Sequence, residues 1–157
     1  MVITNAKVLV FDMDGTIADL YGVENWLDSL RAEDPSPYIN ARPLVDMDIL
    51  NELLGILKDC GWRIVVTTWL SKGSSPQYDA LVREAKIAWL NKYNFPYDEI
   101  HLVKYGTTKA DYTRKYGYGS QILVDDNEKI LNGWNLGAII NASTENILQA
   151  VADLILD

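Results

Sequence analysis

Val8-Leu9-Val10-Phe11-Asp12-Met13-Asp14-Gly15-Thr16 is the stretch that decides how this chain folds. The apolar run has the length and character of a buried strand, and Asp-x-Asp-Gly-Thr ends it with residues that favour a turn. A buried strand that ends this way projects two carboxylates, Asp12 and Asp14, from the lip of a sheet. One can attack phosphorus while the other handles the proton of the leaving group. An Asp-rich turn would use the same residue types, so the rest of the chain has to decide between the two.

Strand-like runs recur outward from this point at Lys7–Phe11, Arg63–Thr67, Ile100–Val103, Ile122–Val124 and Ala138–Ile140, with helical patterns in most of the gaps. The alternation predicts an α/β fold around a parallel sheet of about five strands. Ile49, Leu50, Leu53, Leu54, Leu57 and Cys60 recur at helical spacing, with Asp46 as N-cap and Gly61 as stop. Cys60 is expected to be a small core residue at the end of that helix. Ser75-Pro76 starts a second helix, with Tyr78, Leu81, Val82, Ala85 and Trp89 on one face, ending near Asn94. A last helix carries Ile147, Leu148, Val151, Leu154 and Ile155. Trp62, Trp89 and Trp134 are assigned to the core, and His101 is given no role. Residues 20–43 stand apart: a short helix around Trp26, Leu27 and Leu30 is broken by Asp34-Pro35-Ser36-Pro37, as in an inserted flap. Neither a repeat nor a linker marks a second domain, so residues 1–157 are expected to form one.

Composition narrows the function classes. Of the 157 residues, 48% are hydrophobic, enough for one substantial core. The formal charge of −8 repels phosphate backbones, which disfavours generic nucleic-acid binding. A single cysteine forms no intrachain disulfide, and no leader or membrane-spanning run is evident, so the expected setting is the cytoplasm.

In an open parallel sheet, ligands bind beyond the carboxyl ends of the strands, and three further features fall there. Ile64-Val65-Val66-Thr67-Thr68 ends in two hydroxyls able to donate to a phosphoryl oxygen. Ile122-Leu123-Val124-Asp125-Asp126-Asn127 ends in paired acids, one of which can also cap the helix that follows. Asp12, Asp14, Asp125 and Asp126 crowded at one edge would repel unless a cation neutralised them, and hard oxygen ligands suit Mg²⁺. Lys109, near the start of a short helix, can neutralise substrate phosphate and nucleophile alike. Lys104 competes for that role.

Taken in order, Asp-x-Asp-Gly-Thr, strand-Thr, Lys at a helix start and strand-Asp-Asp resemble the four motifs of the haloacid dehalogenase (HAD) superfamily of phosphohydrolases. The resemblance covers nearly the whole chain, although only Asp12–Thr16 and Asp125-Asp126 are specific as strings. It implies a Rossmann-like three-layer α/β/α fold with a small cap inserted after the first strand. It also implies Asp12 as the nucleophile that forms an aspartyl-phosphate and Asp14 as general acid and base. Thr67 and Lys109 would hold the phosphoryl group, with Thr68 beside them. Mg²⁺ would be held by the Asp12 carboxylate, the Asp14 backbone carbonyl and Asp125, with Asp126 bound directly or through water.

The cap is too short for a full helical domain, so the mouth should be fairly open. This layout resembles small-cap and capless members such as deoxyribonucleotidase-like proteins and the phosphatase half of polynucleotide kinase-phosphatases. Tyr21, Trp26, Tyr38 and Trp69 are placed to surround that mouth. Trp69 is the best candidate for stacking on a base, whereas Trp26 is expected to pack the flap onto the body. Lys72 is expected in a solvated loop, where it could also meet a second phosphate or ribose. The sequence thus predicts a Mg²⁺-dependent phosphomonoesterase of a small phosphorylated metabolite, with a nucleoside monophosphate favoured and no membrane partner. A phosphatase of polynucleotide ends and a non-catalytic phosphate-binding module are the alternatives.

Overall fold

The computed structural model describes residues 6–157. The expectations of a domain starting at residue 1 and of a leaderless N-terminus fall partly on residues 1–5, outside the described residues.

Strand β1 (Val8–Phe11) is fully buried at the centre of a five-stranded parallel sheet. Strand β4 (Arg63–Trp69) lies on one side of it and β6 (Gln121–Asp125) on the other. Strands β5 (Glu99–Val103) and β7 (Gly137–Asn141) form the edges, giving the order β5-β4-β1-β6-β7. Phe11 is level with Val66 and Val124, so Asp12, Thr67 and Asp125 each follow one residue later at the same edge.

Helix α3 (Met47–Asp59) forms because Asp46 caps it, its side chain accepting from the Ile49 N–H at 3.1 Å. Its Leu50, Leu54 and Leu57 are removed from solvent against Leu9, Phe11 and Ile64. Burial of that kind contributes about 1.5–3 kcal/mol per side chain. Helix α6 (Ile147–Ile155) adds Ile147 and Val151 to the same cluster. The opposite layer packs Val8, Val10, Val65 and Leu123 on Leu131, Trp134 and Leu136, the first of these from α5 (Glu128–Asn132). The result is the three-layer α/β/α arrangement. No helix among the described residues is long and apolar enough to cross a membrane.

Two details depart from the sequence reading. Cys60 is exposed: it is the C-cap of α3, where the chain leaves the helix, and the buried stripe ends at Leu57. Ile49 and Leu81, expected on core faces, are exposed as well, because neighbouring positions on each helix take the inner face.

Residues 20–43 form the flap. Strands β2 (Ala18–Asp19) and β3 (Arg42–Pro43) pair antiparallel and draw its two ends together. Between them lie a short 3-10 helix (Leu20–Gly22), α1 (Trp26–Arg31) and α2 (Ser36–Asn40). Leu20 and Tyr38 pack on Leu70 and on Tyr78, Val82 and Ala85 of α4 (Pro76–Lys92). Glu33 accepts from the Ser75 backbone N–H at 2.9 Å and from its hydroxyl at 2.7 Å, and Tyr78 donates to the Asp34 carbonyl at 2.8 Å. The flap is therefore fastened at its far end to the loop that opens α4.

Candidate active site

Asp12 follows β1 directly and its backbone N–H donates to the Val124 carbonyl at 3.0 Å, which continues the sheet into the site. The chain then turns at Gly15, at φ +81°, where a Cβ would stand 2.3 Å from Asp126 Oδ2. Only glycine fits that close approach in that conformation. The turn brings the Thr16 hydroxyl back to Asp12 Oδ2 at 3.0 Å, with Asp126 Oδ1 at 3.2 Å.

Lys109, buried on a 3-10 helix (Lys109–Tyr112), donates to Asp12 Oδ1 and to Asp125 Oδ2, both at 2.8 Å. Asp125 Oδ1 accepts from the Asn127 N–H at 3.0 Å, and Asn127 caps α5. Lys104, the competing lysine, is exposed. Burial alone would lower the Lys109 pKa, but the charges of Asp12 and Asp125 raise it, so the ammonium form persists.

Asp12, Asp125 and Asp126 offer carboxylate oxygens that all lie within 4.8 Å of one another. Burial, the Asp12 charge and the Asp125 charge push Asp126 up to about 7. Asp125 is raised by burial and by Asp12, against the pull of Lys109. Such a trio of hard oxygens, with Asp125 and Asp126 held above the ordinary carboxylate range, fits a divalent cation of the Mg²⁺ type. The Asp14 side chain is outside the trio. Its pKa is raised, first by burial and then by the Asp12 charge, against Lys86.

Lys86 is a residue at the site that sequence reasoning missed. It is 1% exposed and donates to Asp14 Oδ2 at 2.8 Å, to Thr68 Oγ1 at 2.7 Å and to the Trp69 carbonyl at 2.8 Å. A signal was available: Lys86 lies four residues after Val82 and three before Trp89, on the buried stripe of α4.

The two threonines are not equivalent. Thr67 is fully buried one residue beyond the Phe11–Val66 level, and its hydroxyl has no partner among the described residues. Thr68, on the opposite face of the strand by alternation, takes the Lys86 ammonium instead.

A cavity of about 420 Å³ opens over the carboxylates, walled by Tyr21, Trp26, Tyr38, Trp69 and Tyr105. The Trp69 indole N–H donates to the Thr107 carbonyl at 2.9 Å, its ring is 4.8 Å from that of Tyr105, and Lys109 Nζ sits 5.6 Å from its centroid. Trp26 both packs edge-on against Tyr21 at 4.9 Å and lines the cavity. Lys72, exposed at the rim, lies 5.8 Å from the Tyr105 ring centre. Trp89 and Trp134 are buried, and Trp62 packs half-buried at the core margin. His101 pairs with Glu99 at 2.6 Å.

Among solved structures, the chain is similar to D,D-heptose 1,7-bisphosphate phosphatase from Burkholderia thailandensis. Identity is 15%, the TM-score is 0.59, and 96% of this chain and 99% of that one are covered. A protein from Mesorhizobium loti assigned as a HAD-like phosphatase matches at 12% identity and TM-score 0.55, over 99% and 90% of the two chains. The fold is that of the HAD-like phosphatases. A chain from the Pnkp1/Rnl/Hen1 complex shares it at 17% identity and TM-score 0.57 over 87% of this chain, which spans only 45% of that longer one. No family model and no curated protein matches the sequence. The likeness thus concerns the HAD-like fold, and the chemistry rests on the residues placed upon it.

Proposed function

We propose that the protein is a Mg²⁺-dependent phosphomonoesterase that works through an aspartyl-phosphate. The observation that carries this reading is Lys109 held between Asp12 and Asp125, with Asp126 and Asp14 beside them at one sheet edge. Asp12 attacks phosphorus, and Lys109 balances the charge of both the nucleophile and the incoming phosphoryl group. The partnerless Thr67 hydroxyl, one strand away, donates to a phosphoryl oxygen. Asp14 gives its proton to the departing ester oxygen, then takes one from the water that hydrolyses the acyl phosphate. A raised Asp14 pKa suits the first of these tasks. Asp12, Asp125 and Asp126 would hold Mg²⁺, with the Asp14 carbonyl, and the ion would offset phosphoryl charge as a Lewis acid.

The aromatic walls favour a nucleoside monophosphate as substrate. Trp69 is fixed at the indole nitrogen, and Tyr21 and Tyr105 also line the same cavity. A second reading, a phosphatase of polynucleotide ends, is supported by an open groove on which Thr107, Thr108 and Lys129 join Trp69 and Tyr105 beyond the cavity. The −8 charge opposes it.

The test is release of phosphate from an aryl phosphate with Mg²⁺ or with chelator, then from nucleoside monophosphates, sugar phosphates and end-phosphorylated oligonucleotides. Mg²⁺-dependent turnover with preference for nucleoside monophosphates is expected. No turnover on any of them overturns the reading, and preference for oligonucleotide ends selects the second.

A further inference from the structure

We propose that Lys86 is the positioning residue for the acid–base carboxylate: it fixes Asp14 at the leaving group and ties it to the strand that grips the phosphoryl group. This rests on the phosphomonoesterase reading, but not on the identity of the substrate.

A lysine ammonium removed from water is expensive to leave unpaired, and Lys86 uses all three of its protons: on Asp14 Oδ2, Thr68 Oγ1 and the Trp69 carbonyl. The Tyr38 ring closes the site from the flap side, its centre 5.1 Å from Nζ. Lys86 shares no hydrogen bond or ion pair with Asp12, Asp125 or Asp126, the first two of which Lys109 bridges instead. Among the described residues its charged partner is Asp14 alone.

That placement divides the Asp14 carboxylate. Oδ2 is held by Lys86, while Oδ1 accepts no hydrogen bond among the described residues, and Asp14 lines the cavity. A carboxylate on a turn would otherwise rotate about its side-chain torsions. Here a cation anchored on α4 and on two residues of β4 fixes its plane. Thr68 and Trp69 directly follow the phosphate-gripping position Thr67 on β4, so the acid and the phosphoryl grip share one rigid support. Positioned proton donors contribute about 10²–10⁴-fold to rate, and small misplacements forfeit much of that.

A residue that acts only through the acid matters in proportion to how much the leaving group needs a proton. The experiment compares kcat/KM, which covers steps through departure of the leaving group, on an alkyl phosphate and on 2,4-dinitrophenyl phosphate, whose phenolate leaves unaided. Wild type, Lys86→Gln, Lys86→Met, Asp14→Asn and the Asp14→Asn/Lys86→Gln pair are measured with Mg²⁺. Either neutral variant should lose about a hundredfold on the alkyl ester and only a few-fold on the dinitrophenyl ester. In the Asp14→Asn background, Lys86→Gln should cost little more on either. Equal losses on the two esters, or additive losses in the pair, overturn the positioning role and leave a structural or phosphate-binding one. A wild-type protein inert on both esters instead overturns the phosphomonoesterase reading, and this role with it.

Discussion

Lys109 Nζ lies 2.8 Å from Asp12 Oδ1, although 97 residues separate them in the chain. The contact joins the end of β1 to the short helix before β6, and it sets one carboxylate oxygen of the proposed nucleophile beside a buried ammonium. A carboxylate so placed, with Thr16 on its other oxygen, is fixed in orientation, and in the proposed reaction it would be relieved of part of its repulsion from a phosphate dianion.

In the proposed mechanism, replacing that carboxylate removes the covalent route. Asp12→Asn should lower kcat by at least about a thousandfold, on the order of 4 kcal/mol of transition-state stabilisation. The amide keeps the shape and one acceptor for Lys109, so circular dichroism and thermal unfolding should show a folded protein. Turnover near that of wild type would remove Asp12 from the nucleophile's role.

The central strand, the order of the motifs and the helices α3, α4 and α6 were legible because each is a local pattern: an apolar run, a cap, a stripe. The Asp12, Asp125 and Asp126 cluster was legible for a similar reason, since acids at the ends of parallel strands must share an edge. Lys86 was not, because a lysine on a helix is ordinarily solvated, and its charged partner Asp14 is 72 residues away. Thr68 was grouped with Thr67 by adjacency, whereas strand alternation sends their hydroxyls to opposite faces. Cys60 followed the α3 periodicity one step past the point where the helix ends. The ribbon of β2 and β3 is two residues long on each side, too short to carry any period.

Asp126 should reveal itself through stability. Burial and the charges of Asp12 and Asp125 raise its pKa from 3.8 to about 7. The folded state therefore holds that proton more tightly than the unfolded chain does. Stability from this group is present below pH 4 and lost as pH rises through 7. Without metal at pH 8, Asp126→Asn should be more stable than wild type by about 1–2 kcal/mol, with the gain fading toward pH 4. Mg²⁺ should raise the melting temperature of wild type more than that of the variant. Thermal unfolding at both pH values, in chelator and in Mg²⁺, checks this. A variant less stable than wild type at pH 8 in chelator, with an unchanged response to Mg²⁺, contradicts it.

Glu99 carries the opposite sign. Burial would raise its pKa, but hydrogen bonds from Tyr116 at 2.6 Å, His101 at 2.6 Å and Arg63 at 3.1 Å bring it down from 4.5 to about 2. Its stabilisation is complete above the unfolded value and is lost as pH falls from about 4.5 to 2. Glu99→Gln should cost about 1–3 kcal/mol at pH 7, and the gap to wild type should narrow at pH 3. Urea unfolding of the two proteins at both pH values gives the comparison. A gap independent of pH would mean that the side chain acts by packing rather than by charge.

Trp69 separates a substrate-reading aromatic from a structural one. It follows Thr67 and Thr68 on β4, lines the cavity, and is held by its hydrogen bond to Thr107 and by its contact with Tyr105. An indole fixed in advance loses little entropy when a base stacks on it, so a nucleotide should gain about 1–3 kcal/mol there. Trp69→Ala should therefore raise KM for a nucleoside monophosphate roughly 5- to 100-fold, while a small non-aromatic phosphate ester is affected little. Trp69→Phe, which keeps a ring but loses the Thr107 bond, should fall between. The structure also gives Trp69 a local holding role, because Lys109 Nζ sits against its ring and would be exposed by truncation. That role predicts a different pattern, in which kcat falls equally on both substrates and the phenylalanine variant restores it. Equal losses would leave the nucleotide reading resting on Tyr21 and Tyr105 alone.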